Sequence, residues 1–335
     1  MSFTWLRTQQ RLAAAIVVAL GLPAVSACAG SSPGSTPIPA GVSVGHPTGV
    51  KPSGGSGYTF TTVDDPADPT TEVLGINNLS KLCGYYGNPS IGFVARPPYA
   101  PTKFIKEIFP GAVDTVVTSI NNEDTIAGWY QSAKNGIYGF TAWQGIWNNY
   151  QDPHERNGGP GQVTKLLGLS DGGLAVGYYV DNGTDHSVEL YLATGKFQGI
   201  QPPGATSSAA TGINGKGDIV GWLTLASGAT EGWLLKGGQF TMFQYPAAIE
   251  TQATSINWSD DIAGSYQDAS SNTHGFVLVN LLSSPEWTEI DDQSASGGAT
   301  VVSGINNHHD LGGYYTTPSG NINGFVATSN KKKAN

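Results

Sequence analysis

The sequence predicts an all-β fold, a six-bladed β-propeller with six repeats of about 45 residues and four strands per blade. A thirteen-residue pattern occurs six times: LGINNLSKLCGYY from Leu74, TSINNEDTIAGWY from Thr118, LGLSDGGLAVGYY from Leu167, TGINGKGDIVGWL from Thr211, TSINWSDDIAGSY from Thr254 and SGINNHHDLGGYY from Ser303. Its landmarks Gly75, Ser119, Gly168, Gly212, Ser255 and Gly304 stand 44, 49, 44, 43 and 49 residues apart, the length of one four-stranded blade. Charged residues make up only 12% of the chain, which has 46 glycines. That balance suits a turn-rich β protein whose strands are mostly covered. A linear β-solenoid would need polar capping units, and neither end repeat is atypical.

Residues 1–27 carry Arg7 and Arg11, then the apolar run Leu12 to Leu22, then Val25-Ser26-Ala27 before Cys28. A short basic and apolar segment followed by small residues is the pattern of an export signal, excluded from the fold. Val25 to Cys28 resembles the bacterial lipobox, which implies that Cys28 becomes the acylated first residue of a membrane-anchored lipoprotein on the extracytoplasmic side. Removal of 1–27 leaves 14 basic against 25 acidic residues. That balance argues against nucleic acid as a partner. Residues 28–57 read as a flexible Gly/Ser/Pro tether containing His46.

With Cys28 acylated, only Cys83 remains, so no disulfide framework is expected. Cys83 shares a repeat position with Ala127, Val176, Val220, Ala263 and Gly312, which marks it as a small core residue.

Residues 58–330 divide into strands by their apolar spacing. One strand per repeat holds the pairs Phe60/Val63, Ile105/Ile108, Trp147/Tyr150, Phe197/Ile200, Phe240/Phe243 and Trp287/Ile290. The next leads into Ile76 and its equivalents, after which Asn77, Asn121, Ser170, Asn214, Asn257 and Asn306 open a turn that their side chains can cap. The third carries Gly84, Gly128, Gly177, Gly221, Gly264 and Gly313, whose missing side chain suits close approach of another strand. The fourth centres on Phe93, Phe140, Val188, Trp233, Phe276 and Phe325. The strand Tyr58–Val63 is expected to pair with the last repeat around Gly324-Phe325-Val326 and close the ring. The basic tail 331–335 is expected to fray.

Gly-Ile-Asn-Asn, the Asp-Ile-Val-Gly-like segments and His274-Gly275-Phe276 resemble the bacterial extracellular HAF repeats over nearly all of 58–330. Repeat three departs most, with Leu169-Ser170 and Ser187-Val188 in place of Ile-Asn and Gly-Phe. The resemblance implies an exported repeat protein of unsettled biochemical role and supplies no catalytic residues.

A residue shared by all six repeats serves the blade, whereas one that breaks the pattern is a candidate for function. The aromatics that follow the repeated glycines, such as Tyr85, Trp129 and Tyr178, fall in the first group and read as inter-blade core. Trp258 breaks the pattern at a turn position held elsewhere by Asn78, Asn122, Asp171, Gly215 and Asn307. His308-His309-Asp310 does so in the next repeat. With Asp260 and Asp261 these residues make a candidate ligand patch on one sector of one rim. The long connection in repeat three adds Asp152, His154, Glu155 and Arg156, which could perform acid/base work or hold an anion. His186 and His274 share a position with Ile91, Tyr138, Glu231 and Asn323, too mixed for a metal ring. No metal or other cofactor is expected.

The chain carries no nucleophile elbow, phosphate loop, dinucleotide fingerprint or His-Glu-x-x-His motif. The reading is a non-enzymatic, monomeric, lipid-anchored propeller that binds a glycan or envelope protein through one rim. The alternative is a propeller hydrolase or lyase acting on polysaccharide or cell-wall material, marked by convergent titratable residues with perturbed pKa values.

Overall fold

The computed structural model describes residues 41–43, 57–65, 68–154 and 163–330. Six four-stranded antiparallel sheets follow one another along the chain. Blade 1 consists of Thr71–Ile76, Leu82–Tyr86, Ile91–Ala95 and Phe104–Glu107. Blade 2 consists of Ala112–Ile120, Ile126–Ser132, Ile137–Trp143 and Ile146–Tyr150. Blade 3 runs through Thr164–Leu169, Leu174–Asp181, Thr184–Tyr191 and Lys196–Gly199. Blade 4 runs through Ala205–Ile213, Ile219–Leu225, Thr230–Lys236 and Gln239–Phe243. Blade 5 is Glu250–Ile256, Ile262–Gln267, Thr273–Val279 and Glu286–Ile290. Blade 6 takes Thr300–Ile305, Leu311–Thr316 and Ile322–Ser329 from the C-terminal end.

The fourth strand of blade 6 is Tyr58–Val63, which pairs antiparallel with Ile322–Ser329 from Tyr58 opposite Ser329 to Val63 opposite Gly324. The expected closure is therefore present, and the fold is a six-bladed propeller. The same pairing shows that the sequence repeat and the blade are offset by one strand. The strand that opens each repeat is the outer strand of the preceding blade. Within the stretch read as a tether, Gly41–Ser43 forms a short strand parallel to Gln239–Phe243. The export signal, Cys28 and the basic tail lie outside the described residues.

Two sets of small residues make this packing possible. In every blade the repeated glycine of the second strand faces a bulge in the inner strand. A Cβ there would come within 1.9 to 2.2 Å of the carbonyl oxygen of Glu72, Val116, Lys165, Ala209, Gln252 or Val301. No side chain fits that gap, so the glycine is obligatory. The landmark series spaces the blades: a Cβ on Gly212 would lie 2.8 Å from Ser255 Cα, and one on Gly304 would lie 3.0 Å from the Ile76 nitrogen.

Between the inner strands, aliphatic and aromatic side chains fill each interface. Val63, Val73, Leu82, Phe93 and Val326 pack together across the closure. Cys83 is buried, with its thiol pKa raised by burial, in the cluster that includes Val117 and Phe140.

Candidate functional site

Antiparallel order puts the turns between strands one and two and between strands three and four on one rim. The crossovers between blades lie on the other. On the first rim the repeated Asn does two jobs. Asn257 Oδ1 accepts from the backbone of Ser259 (2.9 Å) and Asp261 (3.0 Å), which holds the turn, and Asn77, Asn121, Asn214 and Asn306 repeat the pattern. Their amide groups meanwhile donate to the equivalent carbonyl oxygen of the next blade. Asn77 reaches Asn121, Asn121 reaches Ser170, Asn214 reaches Asn257, Asn257 reaches Asn306 and Asn306 returns to Asn77. Ser170 has no amide, so it caps its own turn through Leu174 and leaves the ring open toward blade 4.

A second set of stitches runs one residue later. The backbone of Asn78 donates to Asn122, Asn122 to Asp171, Trp258 to Asn307 and Asn307 to Asn78. The pattern lapses at Gly215, because position 258 offers an indole in place of an acceptor. A Cβ on Gly215 would lie 2.8 Å from the Trp258 ring, so the indole rests closely against the glycine. Trp258 remains 55% exposed, with the Lys216 ammonium 5.9 Å from its ring centroid. Among the described residues, six of the ten exposed large apolar side chains lie on this rim: Leu79, Trp143, Ile146, Tyr191, Trp258 and Leu282. Trp143 is fixed there by its indole N–H, which donates to the Glu123 carbonyl at 3.1 Å.

The charged residues expected beside Trp258 are on this rim, but they are largely engaged with one another. Asp260 is gripped by Lys216 and Lys236, and it accepts from Asn214 at 3.1 Å. Burial would raise its pKa, but the hydrogen bonds from the two lysines outweigh it and hold the carboxyl below its ordinary value. Asp261 is buried and pairs at 2.8 Å with His309 of blade 6. Asp310 accepts from the Ser329 backbone at 3.4 Å. The hydroxyl of Tyr58 is pushed up to about 12, first by burial and then by Asp261 and Asp310. These acids tie blades 4, 5 and 6 and the closing strand together, leaving Trp258 and His308 facing outward.

The candidates in the connection before blade 3 lie on the opposite rim. Asp152 is only 1% exposed, not solvated as a Gly-rich loop suggests, and its carboxylate accepts from the His154 backbone and contacts His154 Nδ1, both at 2.8 Å. Asp292 makes the same turn before blade 6, accepting from Ser294 at 2.8 Å while its own N–H donates to Thr300. A shared device of this kind serves the loop. His154 continues a ring column with Tyr179 and His186. Burial, with His154 nearby, lowers the pKa of His186 against the pull of Asp181 and Asp152. Glu155 and Arg156 lie outside the described residues.

Near the axis, the inner strands carry a set of polar groups that sequence inspection passed over. Glu72, Val116, Lys165, Ala209, Gln252 and Val301 occupy one register position, opposite Tyr85, Trp129, Tyr178, Trp222, Ser265 and Tyr314. Burial pushes Glu72 up to about 7, and the neighbouring Tyr85 hydroxyl opposes the rise. Burial brings Lys165 down to about 8 against the attraction of Asp185, and its ammonium sits 4.3 Å above the Trp129 ring. The signal was available: two charges, Glu72 and Lys165, in a slot otherwise held by Val116, Ala209, Gln252 and Val301.

No protein-family model matches the chain, and no curated protein sequence matches it either. Solved structures of similar fold include AofleA from Arthrobotrys oligospora, at 14% identity over 88% of this chain and 92% of that one, with a TM-score of 0.48. The six-bladed Aleuria aurantia lectin is similar at 11% identity over 78% and 96%, with a TM-score of 0.45. Streptogramin B lyase is similar at 10% identity over 81% and 98%, also with a TM-score of 0.45. At such identities the likeness extends to the fold alone.

Proposed function

We propose that this protein is a lipid-anchored, extracytoplasmic propeller that binds a glycan through the rim formed by the Asn turns. The observation that carries the reading is Trp258. Its indole has displaced a blade-to-blade stitch, has one side against Gly215 and remains more than half exposed. Exposed aromatic surface rimmed by polar groups is suited to ligand contact. Trp143 and Tyr191 add further rings on the same rim, and the Lys216 ammonium, paired with Asp260, lies beside the Trp258 ring.

The anchoring rests on the export-signal pattern and on Cys28, in keeping with the HAF-repeat resemblance. Cys28→Ser should abolish labelling by radioactive palmitate and release the protein from membranes. For the rim, the test is a glycan array and an envelope-polysaccharide pull-down with wild type, Trp258→Ala and His154→Ala. Binding by wild type and His154→Ala but not by Trp258→Ala, at unchanged thermal stability, supports the assignment. Failure of the wild type to bind any glycan sinks it.

A further inference from the structure

Blade 5 carries, toward the rim opposite the Asn turns, a group of ionisable side chains that shares the Tyr–His pair of blade 3 and adds Glu289 and Asp291 from the outer strand end. Strand pairing sets Tyr266 opposite His274, and Phe276 opposite Glu289. Continuing that register past Ile290 brings Asp291 beside His274. Directly opposed residues share a face of the sheet, so Tyr266, His274, Glu289 and Asp291 gather on one side of the blade. One ligand atom from each of His274, Glu289 and Asp291 lies within 4.8 Å of the other two. All three side chains are half-buried, held by the fold yet open to solvent.

His274 Nδ1 lies 2.8 Å from Asp291 Oδ2, its Nε2 lies 3.8 Å from Asp268, and the Tyr266 hydroxyl donates to Glu289. Comparison between blades shows that folding does not require this set. The position of Glu289 is Lys106, Asn149, Gly199, Met242 and Thr62 in the other blades. In blade 6 the equivalent tyrosine, Tyr315, is met by neutral partners, Thr62 at 3.3 Å and Asn323 at 3.4 Å. Blade 5 therefore concentrates three carboxylates, Asp268, Glu289 and Asp291, around one imidazole where blade 6 uses a neutral network.

A second observation points into the same place. Tyr245 stacks on Tyr266 with centroids 3.6 Å apart, and its buried hydroxyl makes no well-formed hydrogen bond among the described residues. Tyr245 is only 2% exposed, and Tyr266, Glu289 and Asp291 are close enough to act on its hydroxyl. A buried hydroxyl left in this state beside clustered carboxylates is the arrangement that a cation and its water ligands would complete.

We propose that His274, Glu289 and Asp291 form a binding site for a divalent transition-metal cation, with Tyr266 and Tyr245 orienting the site from behind. One imidazole and two carboxylates suit Zn²⁺ or Mn²⁺ better than an all-oxygen ion such as Ca²⁺. Three protein ligands leave coordination positions for water or an incoming ligand. To share one ion the ligand atoms, now within 4.8 Å of one another, draw together, with His274 and Asp291 exchanging their mutual hydrogen bond for the metal.

The test titrates the full chain with MnCl₂, read by electron paramagnetic resonance, and with ZnCl₂, read by calorimetry. Asp291→Asn and Glu289→Gln are compared with wild type, and His186→Ala serves as a control. Glu289→Gln keeps the shape of the side chain and an acceptor for Tyr266. The expected result is one ion per chain, with affinity lowered more than about tenfold in both carboxylate variants and unchanged in the control. Absence of Mn²⁺ and Zn²⁺ binding at millimolar metal would overturn the proposal, as would affinity unaffected by either variant or a preference for Ca²⁺.

Discussion

Replacing Glu72 with glutamine should change how stability depends on pH, and the structure sets both the size and the sign. Glu72 is 2% exposed on the inner strand of blade 1, and its pKa rises from 4.5 to about 7 chiefly through burial. A carboxyl whose folded-state pKa exceeds its unfolded value favours the folded state while it is protonated. Its contribution is complete below pH 4.5 and is lost as pH rises through about 7. A shift of that size corresponds to about 3 kcal/mol. Glu72→Gln keeps the shape of the side chain without a charge to bury. The variant should therefore match wild type near the lower limit of that window. By about pH 8 it should exceed wild type by up to about 3 kcal/mol. Urea unfolding of both proteins, followed by tryptophan fluorescence across the window, measures the difference. Two stability curves that stay parallel through it would refute the reasoning.

Lys165 should act in a separate window. Its pKa falls from 10.5 to about 8, so its burial penalty is complete below the lower value and relieved as pH rises to the higher. Lys165→Met should gain on wild type by about 2 kcal/mol below that window, after discounting for partial exposure, and the advantage should vanish above it. Gly221→Ala would put a Cβ 2.0 Å from the Ala209 oxygen and 2.5 Å from the Trp233 ring. A loss above about 3 kcal/mol in urea unfolding is expected. At Gly111, where φ is +78° but nothing lies within 4 Å, alanine should cost only about 1 kcal/mol. Ser170→Asn would restore the missing amide stitch to blade 4 and should raise stability by about 1 kcal/mol. Asn257→Ala, which loses two turn bonds and a stitch, should cost about 2 kcal/mol or more by the same assay.

Much of the fold was legible because each repeat states the same steric demand six times. Gly84 and its equivalents cannot carry a Cβ, and Ile76-Asn77 and its equivalents end a strand in a capped turn. The closing strand could be anticipated because Phe60 and Val63 match the spacing of Ile105 and Ile108 without a blade before them. What remained hidden were contacts across interfaces. The Asn amides reach the next blade 43 to 49 residues along the chain, as in Asn214 to Asn257 and Asn257 to Asn306, and Asn306 returns to Asn77 across 229. Asp260 finds Lys236 on a neighbouring blade. His274, compared only within its own repeat position, gave no sign of Glu289 and Asp291, because their outer-strand position varies from blade to blade. Trp258 was visible as a departure, but its fit against Gly215 was not.

The rim assignment is tested most directly by hydrogen–deuterium exchange of the full chain with and without the glycan or envelope fraction that it retains. Protection should appear in the turns holding Leu79, Trp143 and Trp258, with no change at His154 or Ile249 on the other rim. Protection centred on His154, His274 or Ile249 with the Asn turns unchanged would contradict the account and move the site to the opposite face.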